Sequence, residues 1–205
     1  MMKKLLFMGL PGAGKGTQAE LLKEQGFVQI STGDIIRAAI KSHDKIIEPY
    51  EETINAGGFL PDEIIFELEE KAVNELPEET PGYILDGAVR TLPQAEFAKE
   101  KGLVDEVVFF DLQEETATNR LSIRTVCPNC KKTFGNETIC PDCKTELIKR
   151  KDDSAETIHR RFVEYNEKTA PVLDFLKENF EFKIIDANSS VDKIHKSTVE
   201  ALGLQ

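Results

Sequence analysis

Five short apolar runs punctuate an otherwise polar chain, at residues 5–8, 28–30, 83–85, 107–110 and 183–185. They are near-continuous rather than alternating, and helix-like segments separate most of them. Alternation marks a strand with one wet face, whereas a continuous run marks a strand buried on both faces. The pattern therefore predicts an α/β fold, a five-stranded parallel sheet with helices packed on either side. Two intervals break this rhythm. Residues from about 31 to 61 carry several short helical patterns, one opened by Pro49 and ended by Gly57-Gly58. Residues from about 121 to 154 contain all four cysteines and read as an insertion. The expected division is a core of residues 1–30, 62–120 and 155–205, a helical segment at 31–61 and a small module at 121–154.

A chain of 205 residues suffices for one such core with a small inserted module. Its 26 Lys and Arg against 37 Asp and Glu leave a net charge of −11, which argues against a nucleic-acid or membrane-surface partner. A phosphate ligand would need a local positive site within this acidic shell. The arginines are few enough to follow individually: Arg37, Arg90, Arg120, Arg124, Arg150, Arg160 and Arg161. The opening Met-Met-Lys-Lys-Leu-Leu-Phe-Met has the look of a leader. Its apolar run stops at Pro11-Gly12 before Lys15, which favours a buried first strand and a cytoplasmic protein. No stretch approaches the length of a membrane span.

Gly9-Leu-Pro-Gly-Ala-Gly-Lys-Gly-Thr17 follows the first predicted strand and opens a predicted helix. In that setting, glycines turn successive N–H groups inward around phosphate oxygens, and the helix N-terminus adds its dipole. Lys15 would neutralise β- and γ-phosphates, with Gly12, Ala13, Gly14 and Gly16 lining the cradle. The residue after Lys15 is Gly16 rather than Ser or Thr, so Thr17 is the nearest hydroxyl for Mg²⁺. Tyr83-Ile-Leu-Asp86-Gly87 adds an apolar strand ending in a carboxylate, suited to holding Mg²⁺ directly or through water.

Cys127-Pro-Asn-Cys130 and Cys140-Pro-Asp-Cys143 are paired C-x2-C knuckles. Four thiolates so spaced make a tetrahedral site for Zn²⁺, or less often iron. Such a site is coordinatively closed, so the metal would serve as a structural staple for a module too small to bury a core. Two disulfides and a nucleic-acid-binding zinc ribbon are the alternatives; Lys131, Lys132, Lys144 and Lys149 lend the second some support. Near the C-terminal end, Ile158, Arg161, Phe162 and Tyr165 share one helix face, so Arg161 should point inward. Arg160, between Glu156 and Glu164 at four-residue spacing, reads as a solvated ion pair. His43, His159 and His195 sit in polar stretches and are expected at the surface.

Several segments in order resemble the adenylate kinases: the glycine loop, Ser31-Thr-Gly-Asp-Ile-Ile-Arg37, Gly82-Tyr-Ile-Leu-Asp-Gly-Ala-Val-Arg-Thr-Leu-Pro-Gln94, Arg120-Leu-Ser-Ile-Arg124 and Arg150-Lys-Asp-Asp153. Thr157-Ile-His-Arg-Arg161-Phe, Tyr165 and Thr169-Ala-Pro171 complete the set, so the resemblance spans nearly the whole chain. It implies phosphoryl transfer between ATP and AMP, giving ADP, by a monomer with Mg²⁺ and a zinc-bearing lid. It also implies that Arg37 and Arg90 bind the AMP phosphate, and that Thr32, Gln94, Gly87 and backbone near Leu60 surround its base. Arg120 and Arg124 would hold ATP from the lid, Arg150 and Arg161 would clamp the transferring group and acceptor, and Asp152 and Asp153 would link lid to core. Phe134 would either meet the adenine or pack within the lid hairpin.

Three positions depart from the family pattern. Ala88 and Val89 stand where the family has an aromatic residue and a cis-proline, so the bond there should be trans, which bears on the placement of Arg90 and predicts weaker or altered AMP recognition. Ile47 replaces a frequent glycine. The open rivals are a kinase for CMP, UMP or GMP, a kinase of a small hydroxyl acceptor with Asp34 as general base, and a non-enzymatic ATP-binding zinc ribbon.

Overall fold

The computed structural model describes residues 2–55 and 60–204; the expected stop at Gly57-Gly58 lies outside the described residues. All five apolar runs become strands: β1 (Lys3–Gly9), β2 (Phe27–Ser31), β3 (Gly82–Asp86), β4 (Glu106–Asp111) and, last in the sheet, Glu181–Asp186. The last is numbered β8, because three two-residue strands precede it: β5 (Thr125–Val126), β6 (Thr133–Phe134) and β7 (Ile148–Lys149). The large sheet runs β2-β3-β1-β4-β8 with every neighbour parallel.

Burial on both faces explains the continuous apolar runs. Leu5 and Phe7 point to one side, where they pack with Ala19 and Leu22 of α1 (Lys15–Leu22), Ala117 and Leu121 of α6 (Glu114–Ile123), Ile158 and Phe162 of α7 (Ala155–Glu164) and Ile194 of α9 (Val191–Ala201). Leu6 and Met8 point to the other side, against Ala95 and Ala98 of α5 (Leu92–Glu100) and Val172 and Leu176 of α8 (Val172–Asn179). A third apolar cluster, Ile36, Ala39, Ile47, Leu60 and Ile65, joins α2 (Thr32–Lys41) to α4 (Asp62–Asn74). Ile47 is one of its best buried members, at 1% exposure, so the branched side chain that replaces a glycine works as core. Pro49 lies in a short 3₁₀ turn (Glu48–Tyr50) that runs into α3 (Glu51–Asn55).

Strand order puts the site where such folds bind ligands. The connection leaving β1 goes outward to β2, while the one leaving β3 crosses back to β4. The carboxyl ends of β1 and β3 therefore flank a topological switch point, and the glycine loop and Asp86 occupy them. The four-cysteine segment leaves the core after α6 as a separate antiparallel sheet, β6-β5-β7, and returns before α7. No peptide bond among the described residues is cis, including that between Ala88 and Val89, both buried. His43 and His159 are exposed as expected, but His195 is not a free surface residue. The packing of α9 on α1 brings its Nδ1 to 3.1 Å from Oε1 of buried Gln18, because it borders the face that buries Ile194 and Thr198.

Gly82 starts β3 between Phe27 and Lys3, its register partners on the two neighbouring strands. A methyl group added there would meet Phe27 Cε1 at 2.6 Å and the Lys3 carbonyl at 2.8 Å. Gly82→Ala should therefore cost about 1–3 kcal/mol through overpacking, read as a lower urea midpoint at unchanged m-value.

Candidate active site

The glycine loop closes tightly after β1. Gly9 has φ 138°, and a side chain there would come within 2.5 Å of the Phe110 carbonyl. Gly14, at φ 88°, is the N-cap of α1, and no side chain caps that helix. By contrast Ser31, Thr91 and Ser154 cap α2, α5 and α7 through their hydroxyls. α4, α6, α8 and α9 also lack a side-chain cap, but α1 follows the glycine loop, whose inward N–H groups together with its own can cradle a phosphate. Lys15 folds over the loop, its Nζ donating to the carbonyls of Gly9 (2.7 Å) and Leu10 (3.1 Å). Burial brings its ammonium down to about 8 against the pull of Asp86, and Arg161, Arg90 and Arg124 add repulsion.

Asp86 closes β3 beside the loop, and its Oδ2 accepts from Gln29 Nε2 of β2 at 3.1 Å. A side chain at Gly16 would start 3.5 Å from that same oxygen, so the glycine keeps the carboxylate open to the loop. With the half-buried Thr17 nearby in α1, the donors are hard oxygens, the set that Mg²⁺ prefers.

Across from the loop, three arginines are tied by two aspartates. Arg124 ends α6 and grips Asp153 with both arms, Nε to Oδ2 at 2.7 Å and Nη2 to Oδ1 at 2.5 Å. Arg161, on the inward face of α7, reaches Asp153 Oδ1 at 3.3 Å and Asp152 Oδ2 at 3.6 Å. Arg150 pairs with both oxygens of Asp152, at 3.0 and 2.9 Å. Burial would raise the Asp152 carboxyl, but Arg150, Arg161 and Arg124 outweigh it and hold it at about 2. Burial lowers Arg161 to about 10, with Arg124 and Arg150 pushing the same way and both aspartates opposing. Arg120 lies apart from this network, its Nη2 on the Ser189 carbonyl at 3.1 Å. Arg160 is exposed.

Arg90 reaches the site from the loop after β3 and is held on three sides. Its N–H donates to Gln94 Oε1 at 2.7 Å, its Nε to the Gly87 carbonyl at 3.1 Å, and its own carbonyl accepts from Thr169 Oγ1 at 3.1 Å. Thr169 comes from a π-helical turn (Tyr165–Thr169) that follows α7, a bulge of the kind that re-aims one side chain. This threefold hold fixes Arg90 with Ala88 and Val89 in place. Gln94 completes a capping box with Thr91, and its Nε2 donates to Asp62 Oδ1 at 2.7 Å. Arg37 is half-exposed on α2 and bonded to Asp34 Oδ1 at 2.6 Å, so the carboxylate considered as a general base is paired. Thr32 is buried and donates to Glu69 Oε1 at 3.1 Å, while Leu60 is buried at the edge of the α2–α4 cluster.

The cysteines converge. Their four Sγ atoms lie within 4.8 Å of one another, and Cys130 Sγ is 3.7 Å from Cys140 Sγ. Tetrahedral zinc with bonds of ~2.3 Å requires sulfurs about 3.8 Å apart, so the residues fit the ion. The thiols are free, as a metal site needs and a disulfide pair would not allow. Backbone N–H groups of Cys130 and Cys143 point at Cys127 and Cys140 Sγ, both at 3.4 Å. Phe134, on β6, packs against this cluster with Leu147.

Three side chains in or beside the site escaped the sequence reading, Gln29, Asp62 and Glu69, and Thr169 entered it only as part of a family segment with no partner assigned. Glu69 left a trace there, as a carboxylate at the apolar spacing of Ile65, Ala72 and Val73 on one helix. Gln29, Asp62 and Thr169 act across the fold, and local spacing carries no mark of that.

An uncapped helix behind a glycine loop, a strand-end carboxylate and an arginine cluster facing the lysine define a P-loop phosphotransferase site. The family model described as adenylate kinase matches residues 7–181. The chain is 38% identical to an adenylate kinase of Carboxydothermus hydrogenoformans over 97% of its length and 99% of the relative's. It is 36% identical to that of Thermotoga maritima (99% and 98%) and 35% to that of Mesomycoplasma hyopneumoniae strain J (93% and 94%). The chain belongs to the adenylate kinase family.

Asp153 is nearly sealed from solvent, with a side chain 2% exposed, and it answers to two arginines. Asp153→Ala should cost about 3 kcal/mol in urea unfolding, because it strands Arg124 and weakens Arg161. Arg124→Ala should cost less, since Asp153 keeps Arg161. Asp152 stabilises the fold fully above its ordinary value of 3.8, and the gain disappears as pH falls through about 2.

Proposed function

We propose that the chain catalyses reversible phosphoryl transfer, ATP + AMP = 2 ADP, with the glycine loop as donor site and the α2–α4 side as acceptor site. The observation that carries this reading is the gathering of Arg90, Arg124 and Arg161 within the field of Lys15 at a phosphate cradle. Transfer between two phosphates is chiefly a matter of positioning and charge neutralisation, and the attacking phosphate oxygen is already ionised, so no general base is required. Pairing of Asp34 with Arg37 disfavours a hydroxyl acceptor activated by that carboxylate. Buried Thr32, on α2 with Arg37, supports a base pocket on this side.

In this reading Gly12, Ala13, Gly14, Lys15, Gly16 and Thr17 hold the ATP phosphates. Arg37 and Arg90 bind the AMP phosphate, and Arg124, Arg150 and Arg161 clamp the group in transit. Thr17 and Asp86 would hold Mg²⁺, directly or through water, where it would neutralise charge between the β- and γ-phosphates. The four cysteines would hold one structural Zn²⁺. Residues 121–154 form the lid, and closure excludes water that would otherwise hydrolyse ATP, a motion for which this family is itself a standard example. A cleft of about 600 Å³, lined by Ser122, Lys149, Arg150, Asp153, Ile158 and Phe162, lies where residues 121–154 meet α6 and α7. Closure would exchange the Asp152 and Asp153 partners of Arg124, Arg150 and Arg161 for phosphate oxygens. The chain would work as a cytoplasmic monomer.

ADP formation from Mg-ATP, measured with AMP, CMP, UMP, GMP or no acceptor, should be fast with AMP alone. Strong turnover with another monophosphate would move the acceptor specificity and keep the mechanism. Arg124→Ala should lower turnover by about 10³-fold or more with an unchanged circular dichroism spectrum. Metal analysis should find one zinc per chain, and its removal should lower the melting temperature.

A further inference from the structure

Gln29 is a polar residue at a position that the fold offers to an apolar one. The register of β2 on β3 sets Phe27 beside Gly82, Gln29 beside Ile84 and Ser31 beside Asp86. Side chains alternate along a strand, so Phe27, Gln29, Ile84 and Asp86 share one face of the sheet. That is the α1 face, where Phe27 and Ile84 join the core cluster with Ala19 and Leu22. Half-buried Gln29 turns its amide to the Asp86 carboxylate instead, Nε2 to Oδ2 at 3.1 Å. The bond lies under the first turn of α1, since a β-carbon at Gly16 would stand 3.5 Å from that oxygen and 3.7 Å from that nitrogen.

The carboxylate depends on such a partner. The terminal torsion of an aspartate is broad, so the backbone alone does not decide where its two oxygens point. Lys15 and Arg90 both lie in its field and attract it. A carboxylate free to turn would close on either cation and be lost to a metal between the β- and γ-phosphates. A neutral amide N–H aims the group without cancelling its charge, which a lysine or arginine at position 29 would do.

We propose that Gln29 is a positioning residue for the metal site, its amide holding Asp86 Oδ2 so that the carboxylate faces the Mg²⁺ of bound Mg-ATP rather than Lys15 or Arg90. The assignment rests on the reading of Asp86 as a metal-facing carboxylate. It gives β2, an edge strand that continues into α2 and Arg37 on the acceptor side, a part in holding the donor's metal as well.

Calorimetric titration of the full chain with ATP, once in Mg²⁺ and once in EDTA, gives two dissociation constants. The metal-free constant divided by the Mg-ATP constant measures what the protein draws from the metal. Gln29→Met, similar in length but without a donor, should lower that ratio about tenfold and leave the metal-free constant unchanged. Gln29→Asn, one methylene too short to reach Oδ2, should do the same. In steady-state kinetics both should raise the Mg²⁺ concentration at half-maximal turnover by a similar factor, with the KM for AMP unaltered. A merely structural Gln29 would instead disturb α2, raising the AMP KM or lowering the urea midpoint at a fixed Mg²⁺ ratio, and that result overturns the proposal. In an Asp86→Asn background Gln29→Met should have no further effect on the ratio, whereas an equal loss in both backgrounds also overturns it. If Asp86→Asn lowers the ratio and neither Gln29 variant does, the proposal falls alone. If Asp86→Asn leaves the ratio unchanged, the metal reading of Asp86 falls and this proposal with it.

Discussion

Lys15, Arg90, Arg124 and Arg161 lie close enough together for each arginine to disfavour the lysine's charge, so the site is assembled against its own repulsion. In a chain with a net charge of −11 this concentration of cations is a local achievement, and two aspartates make it possible. Asp153 holds Arg124 and Arg161 at once, and Asp152 holds Arg150 and the same Arg161. Both aspartates come from the short turn that joins the four-cysteine segment to α7, so one turn sets the position of arginines from α6, α7 and the end of the small sheet.

Much of the frame was legible because buried parallel strands advertise themselves. Runs of apolar residues at 5–8 and 107–110 leave no polar face, and both became central strands covered on two sides. The glycine loop, the strand ending at Asp86 and the paired cysteines were legible for a different reason. Their chemistry depends on residues close in sequence, so spacing records it. Arg161 was placed inward by helical period alone, from its register with Ile158 and Phe162.

What stayed hidden was settled across the fold. Ala88 and Val89 put the placement of Arg90 in question, and the bonds that hold it come from Gln94, Gly87 and Thr169, the last of them far away in sequence. Gln94 was singled out by resemblance alone, and its capping box with Thr91 and its bond to Asp62 from another helix were not legible in that segment. His195 was taken for a surface residue until the packing of α9 on α1 gave it Gln18. In each case the deciding partner lies far away in sequence.

The registers of the two sheets have opposite consequences for changes in chain length. In the large sheet Phe7 and Ser31 both face Asp86 across their ladders, so the glycine loop, α2 and the carboxylate leave the sheet level with one another. One inserted or deleted residue in β1 or β3 would shift that level by about 3.3 Å and turn the buried side chains to the wrong face. In the small sheet β5 pairs with both β6 and β7, so the chain departs and returns side by side, Thr125 opposite Lys149. Whatever is threaded between those two residues can lengthen or shorten without moving either end. Evolution is free to edit the size of this module while the core beneath it must keep its count.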